Sequence, residues 1–351
     1  MQFASDNWAG ASPKVIDALA EAARAGGPAY GSDAITKSVE RRFSELFERD
    51  VAVFLVASGT FANALGISAY ARPGGVVLCH REAHIQVDEA GATEFFGGGL
   101  KVVPLEAAAG KLAPATVLEG LTQHPEGFLH HGQPVAVSIT QITELGAAYR
   151  PEEVAAIGEA AKSRGCALHM DGARFANAVA ALGGSPAEVT WRAGVDVLSF
   201  GGTKNGCFAA EAVVFFNPAH ARDAGFARQR AGQGFSKNWF IAAQLAAYLD
   251  QDHWLHLARN ANAMASRLAE SLDRSADARL AFKPDGNEVF AILTSEADDR
   301  LSAAGAVYHP WSVESLPVHE RPAAGERLVR LVTSWRTAAV EVDQFAQHLR
   351  P

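Results

Sequence analysis

Long apolar runs are missing from this chain. No stretch of 18 residues is apolar throughout, so the sequence predicts no membrane-spanning helix. The N-terminus, MQFASDNWAG, has no basic segment followed by an apolar one, and a secretory leader is not expected. Basic clusters are absent too. Lys and Arg number 31 against 39 acids, the net charge is −8, and the cations are scattered. That excludes the electrostatic footprint of a nucleic-acid binder. Cysteine is scarce: Cys79, Cys166 and Cys207 are odd in number, widely spaced and form no CxxC pair. Neither a disulfide framework nor a metal site is expected, and a reducing, cytoplasmic setting fits such usage. Internal repeats, low-complexity tracts and flexible linkers are also lacking.

What is present is an ordinary globular composition, 48% apolar and 20% charged over 351 residues. That length suffices for one large core and a smaller second domain. Short apolar, β-branched runs predict strands at 51–56, 75–79, 100–105, 135–141, 166–170, 196–200 and 212–216. Several are apolar throughout, as strands covered on both faces must be. Helical patterns lie between many of them. RPEEVAAIGEAAKSRG opens with Pro151 and two acids and closes with Gly165, the order expected of helix ends. This alternation predicts an α/β fold with a mainly parallel sheet. From about Phe240 the pattern changes to a long helical stretch of one or two helices, followed by shorter strand-like and helical units. The expected division is a large domain at 1–245, including an N-terminal arm at 1–14, and a smaller α+β domain at 246–351.

In open α/β sheets ligands bind beyond the carboxyl ends of the strands, so the residues after each strand are the candidates. Ser58, Gly59 and Thr60 follow the first strand and open a helix. Free N–H groups at a helix start suit a phosphate, although Ser58 or Thr60 alone reads equally as a cap. His84 follows the second strand, as a capping or core histidine or as a ring lying on an aromatic ligand. Asp171 and Arg174 follow the fifth, in HMDGAR. A carboxylate there holds a cationic ring nitrogen or caps the next helix. Lys204 follows the sixth, in SFGGTKNG. By itself it reads as a surface lysine with a buried stem. Taken in strand order, the set matches pyridoxal 5′-phosphate (PLP) joined to a lysine as a Schiff base.

Those stretches, with ASDNWAG, AYGSD, AHIQVDEAG and QITELG, carry a resemblance. The chain resembles, over essentially its whole length, the low-specificity L-threonine aldolases, which are PLP enzymes of fold type I with a seven-stranded large domain. The resemblance implies cleavage of L-threonine, L-allo-threonine or a related β-hydroxy-α-amino acid such as phenylserine to glycine and an aldehyde. It implies Lys204 as the cofactor's lysine, Asp171 at the ring nitrogen, His84 on the ring and Ser58, Gly59 and Thr60 at the phosphate. Ser5, Arg174 and Arg330 would serve the substrate carboxylate, and His130 would lie near its hydroxyl. His84, His130 or a water held by one of them is the expected base. A homodimer or homotetramer is implied, with Tyr30, Asp33 and Lys237 reaching a neighbouring site. Two positions depart from the commoner pattern: Asp88 replaces an aromatic residue and Ser334 a histidine. Asp88 follows His84 by four residues, so on a helix both would share one face, and Asp88 would either meet the substrate's side chain or point to solvent or an arginine such as Arg81. The rival readings are a β-eliminating lyase or aminotransferase on the same fold, and a non-catalytic protein that keeps it.

Overall fold

A computed structural model describes residues 1–349. Seven strands form the main sheet: β1 (Ala52–Val56), β2 (Gly75–His80), β3 (Lys101–Leu105), β4 (Gln133–Thr140), β5 (Ala167–Gly172), β6 (Val197–Gly201) and β7 (Glu211–Phe215). Their order across the sheet is β1-β7-β6-β5-β4-β2-β3. All neighbours pair in parallel except those of β7, which runs against both β1 and β6. The carboxyl ends of the other six strands therefore share one edge, and β7 brings its first residue, Glu211, to that same edge. Helices between strands cover both faces, and β2, β5, β6 and β7 are buried along their whole length. The expected α/β class and its seven strands are thus present.

Local chemistry explains the element ends. Helix Pro151–Lys162 carries proline in its first turn, and Glu153 accepts from the Arg150 N–H at 2.7 Å. Asp33 caps helix Ala34–Leu46, with one carboxylate oxygen on the Thr36 N–H and the other on its hydroxyl. The long stretch after Phe240 is two helices, Trp239–Leu249 and His253–Asp273, parted where Gln251 and Asp252 take positive φ.

The smaller sheet is antiparallel, with β8 (Ala278–Leu280), β9 (Glu288–Thr294), β10 (His309–Pro310) and β11 (Glu326–Val332) in the order β10-β11-β9-β8. Helix His253–Asp273 belongs to both cores. Trp254 and Leu257 pack under the main sheet, while Leu268 and Leu272 pack on the small one. We keep 1–245 and 246–351 as a proposed division, with that helix as the shared element. The N-terminal arm does not lie wholly on the large domain. Gln2 bridges Val307, the Val332 N–H donates to the Phe3 carbonyl, and Phe3 is buried with Phe345.

Beneath the ligand edge lies an aromatic block. Phe200 on β6 meets Phe43 edge-on at 5.1 Å, Trp254 at 5.6 Å and Phe175 at 5.8 Å. Phe200 is fully buried, so Phe200→Ala should cost about 3–5 kcal/mol of unfolding free energy, read from urea titration. A loss below about 1 kcal/mol would mean that the block closes around the gap.

Candidate active site

The close approach of the backbone explains the glycines of SFGGTKNG. A Cβ on Gly201 would stand 2.5 Å from the Ala173 carbonyl oxygen, and one on Gly202 would stand 2.5 Å from that of Ala210. Gly206 ends the turn at φ +107, where a Cβ would also strike Leu257. The turn Thr203–Asn205 is pinned below, where the Asn205 amide donates to the Tyr248 hydroxyl and the Trp254 carbonyl. Lys204 is thereby held at the strand edge as part of a cavity wall.

That cavity, about 280 Å³, gathers Ser58, Gly59, Thr60, His84, Asp171, Arg174 and Lys204. These residues come from four separate segments, at or just beyond the ends of β1, β2, β5 and β6, and converge because those strands end on one edge. Ser58 caps helix Gly59–Ser68 by accepting from the Phe61 N–H, and Ala62 donates to the Ser58 carbonyl. The Gly59 and Thr60 N–H groups are left without a partner, and the space beside Gly59 is open. Asp171, buried at the end of β5, accepts from the Ala173 N–H at 2.9 Å and from the Asn63 amide at 2.8 Å. The second hydrogen of that amide goes to Glu89, which also accepts from His84 Nδ1 at 2.8 Å. The Glu89 hydrogen bond raises the His84 pKa against the opposing effect of burial, and leaves Nε2 for the cavity.

A second layer lies behind Arg174. Its Nε and Nη2 hold the two oxygens of Asp6 at 2.8 and 3.2 Å, and Nη1 stands 3.1 Å from Glu288. Burial works against the charge on Arg174, but the two carboxylates outweigh it and hold its pKa above the ordinary range. For Asp6 burial raises the pKa, and Arg174 and Lys204 together more than reverse this, holding it below the ordinary value. Glu288 is pushed up by burial, because its oxygens lack well-aligned hydrogen bonds despite the ion pair.

Several expected residues lie outside the cavity wall. Ser5 accepts from the Asn7 N–H and caps a short turn, and of its neighbours Asn7 lines the cavity while Asp6 stands behind Arg174. Arg330, on β11, lies over the Trp311 ring at 4.5 Å and 3.9 Å from Glu288. Asp88 is exposed: the helix stops at Val87, and the residue that pairs with His84 is Glu89, five positions on. The Asp88 charge is felt by Arg330. Tyr30 is exposed and its N–H donates to the Ser236 carbonyl, which joins AYGSD to the segment carrying the exposed Lys237. Asp33 is spent as a buried cap. Ser334 bonds to Thr337. His130 sits on an exposed loop before β4, against Phe128, at the end of that strand away from Thr140 and the cavity. About 25 Å of strand separates the two, so His130 does not serve the cavity of its own chain.

The sequence reading missed Asn63, Glu89, Glu144 and Glu211 in the wall, and Asp6 and Glu288 behind it. Asn63 carried a usable signal, being the one amide side chain in the small-residue run SGTFAN, whereas Glu89 is one of several polar residues in HIQVDEAG. Burial raises the Glu144 pKa to about 7 and that of Glu211 to about 6.

Arg174→Ala would strand Asp6 and Glu288 as buried carboxylates, at an expected cost of about 3–5 kcal/mol at neutral pH. The Asp6 contribution to stability is present above its unfolded pKa near 3.8 and lost as pH falls through its lower folded value. In the variant Asp6 lacks its partner and takes up a proton at higher pH. The difference between wild type and variant should therefore shrink as the solution is acidified from neutrality, as read by denaturant titration at several pH values. A pH-independent difference would mean that the loss is one of packing.

Comparison with known proteins places the chain in a family. A family model described as Beta-eliminating lyase matches residues 2–295. A low specificity L-threonine aldolase of Pseudomonas aeruginosa is 40% identical over 349 residues, covering 99% of this chain and 97% of that one. The solved threonine aldolase of Leishmania major superposes with a TM-score of 0.91 at 28% identity, over 99% of this chain and 98% of that chain. A structure of SPT with PLP matches with a TM-score of 0.67 at 15% identity, over 99% and 86% of the two chains, a likeness of fold alone. Among the described residues no helix is long and apolar enough to cross a membrane, and no group of His, Cys, Asp and Glu is placed to hold a metal. By its sequence along the whole length and by its fold, the chain belongs to the low-specificity L-threonine aldolases within the Beta-eliminating lyase family.

Proposed function

We propose that this chain cleaves the Cα–Cβ bond of L-threonine, L-allo-threonine or a related β-hydroxy-α-amino acid, giving glycine and an aldehyde, with PLP held at Lys204. The observation that carries the reading is one cavity walled by Lys204, Asp171, His84 and an unpaired helix start at Gly59 and Thr60. The 40% identity to a relative named for this activity supports it over elimination or transamination.

The residues fit the cofactor. Two unpartnered N–H groups and open space at Gly59 suit a phosphate. Asp171, oriented by Asn63 and the Ala173 N–H, keeps lone pairs for a protonated ring nitrogen. Lys204 lines the same wall. When bound, PLP supplies the electron sink for the pair left on the α-carbon. Everything else falls to the chain. Lys204 anchors and releases. Asp171 would hold the ring nitrogen and favour its proton, oriented by Asn63 and the Ala173 N–H. Arg174, held by Asp6 and Glu288, sets the cationic side of the site, and Arg330 adjoins the same carboxylate. A cationic grip on the substrate carboxylate selects which bond at Cα stands ready to break. His84 offers Nε2 to the ring and the substrate.

The active form in this reading is a dimer or tetramer in the cytoplasm. Exposed Phe208 and Phe235 form an apolar hollow with Phe240, Ile241 and Ala57, next to the phosphate loop. His130 acts, in this reading, only on the site of another copy. Light scattering should find no active monomer, and a monomer that kept full activity on dilution would overturn the assembly.

Lys204→Ala should abolish aldehyde release from L-allo-threonine while leaving the circular dichroism spectrum intact. Near-normal turnover in that variant would remove Lys204 from the mechanism. Asp171→Ala should lose at least about 10²-fold in rate, the scale of one electrostatic stabiliser. An unchanged rate with full cofactor occupancy would reduce Asp171 to a structural residue.

A further inference from the structure

The cavity holds a carboxyl group to which neither the proposed cofactor nor the expected base assigns a task. Glu144 lies just beyond β4, and its Oε1 accepts from the His84 N–H at 2.9 Å and from the Thr140 hydroxyl at 2.8 Å. Its Oε2 is shut off from solvent and has no partner at all. An unpaired carboxylate oxygen in such a place is costly, whereas a proton on the group removes the cost. Thr140 is itself a residue of the cavity wall, and its hydroxyl bonds Glu144. Having given its hydrogen to Glu144, it presents only lone pairs to a ligand.

We propose that Thr140 and Glu144 form a proton relay, in which the Thr140 hydroxyl receives the proton of the substrate's β-hydroxyl and passes its own to Glu144. The inference rests on the aldol-cleavage reading above. In the step the substrate O–H bond breaks and a new O–H bond forms on Thr140 Oγ1, while the Thr140 hydrogen moves to Glu144 Oε1. The freed oxygen pair becomes the second bond of the aldehyde C=O, and the Cα–Cβ pair stays on the α-carbon. Once the aldehyde leaves, the relay runs backwards and protonates that carbon. Glu144 ends as it began, and substrate alone is consumed.

The surroundings suit the task. Burial is the main cause that raises the Glu144 pKa to about 7; Asp171 pushes the same way, and the Thr140 and His84 hydrogen bonds pull it down. Arg174 faces it as a cation, and the buried Cys79 and Tyr149 adjoin it. A desolvated carboxylate is a far better base than an exposed one, and it matches a reaction run near neutrality. His84 is differently placed. Its Nδ1 is bound to Glu89, and that bond is the main cause that raises its pKa.

The test uses the holoenzyme and three variants. Since Glu144 must be ionised to accept, kcat/KM of wild type should rise with pH through about 7 and then level. Glu144→Gln keeps the shape and an acceptor for both donors. It should lower kcat by about 10²-fold with little change in KM, and remove that limb. Thr140→Val should lose a similar factor, and Thr140→Ser should restore it. Infrared difference spectra between wild type and Glu144→Gln supply a readout independent of turnover. A neutral-carboxyl band should disappear with a midpoint near 7, and Thr140→Val should move the midpoint upward by removing a bond to the charged form. The relay is overturned if Glu144→Gln keeps its rate and pH limb, if Thr140→Val is as active as Thr140→Ser, or if the limb is lost in His84→Asn and kept in Glu144→Gln. Should Glu144→Gln fail to fold, the Thr140 pair and its infrared midpoint still decide. Absence of aldehyde release by wild type would instead refute the aldol reading, and the infrared titration would then show whether the proton resides on Glu144.

Discussion

One guanidinium holds three parts of the molecule together. Arg174 leaves the end of β5, in the large domain. It grips Asp6 from the N-terminal arm and stands against Glu288 from the small sheet. All three side chains are nearly shut off from water, with side-chain exposures of 10%, 1% and 1%. Burying such charges is costly unless each finds its partner, so the arm, the large domain and the small domain settle into one relative placement or leave a carboxylate stranded. The net contribution to stability is modest by this logic, and the gain is in geometry. The cavity wall behind Arg174 is assembled from segments that no local propensity would bring together.

The same principle orders the rest of the wall. Asn63 spends both amide hydrogens on two carboxylates, Asp171 and Glu89, and so sets their spacing. Glu89 in turn turns the His84 ring. Below, the aromatic block and the Asn205 hydrogen bonds hold the turn that carries Lys204. Acidic groups outnumber cations around the cavity, and burial raises several of their pKa values. An anionic ligand adds charge of the same sign, so it is accommodated only where cations and free N–H groups are concentrated.

Lys204, Asp171, His84 and the Ser58–Thr60 turn were legible in the sequence because the α/β alternation itself dictates that strand ends share an edge. No ligand knowledge is needed for that step. The topological rule also argued against His130, which the resemblance placed near the substrate hydroxyl but which precedes β4 and so must sit at the opposite edge. Asp88 misled for a different reason. A regular helix would have set it on the His84 face, but the helix ends after a single turn and hands the contact to Glu89. Asp6, Glu288 and Glu144 were not legible at all. Their importance lies in approaches across long sequence separations and in the loss of water around them, and periodicity carries neither.

The N-terminal arm has a consequence for how the chain comes into being. Phe3 is clamped between the Val307 carbonyl and the Val332 N–H, and Asp6 meets the Asn287 amide from 281 residues away. Phe3 and Asp6 are thus among the last of the described residues to find their places. Until synthesis has passed β11, the segment around Phe3 lacks the Val332 N–H on which it closes. The large sheet is able to condense during that interval, since its seven strands are complete by Phe215. The cation at Arg174 then waits, solvated, for both of its carboxylates. Completion of the ligand edge is therefore coupled to synthesis of the small sheet, and a truncated product that retained only the seven strands of the large one would still lack a finished site.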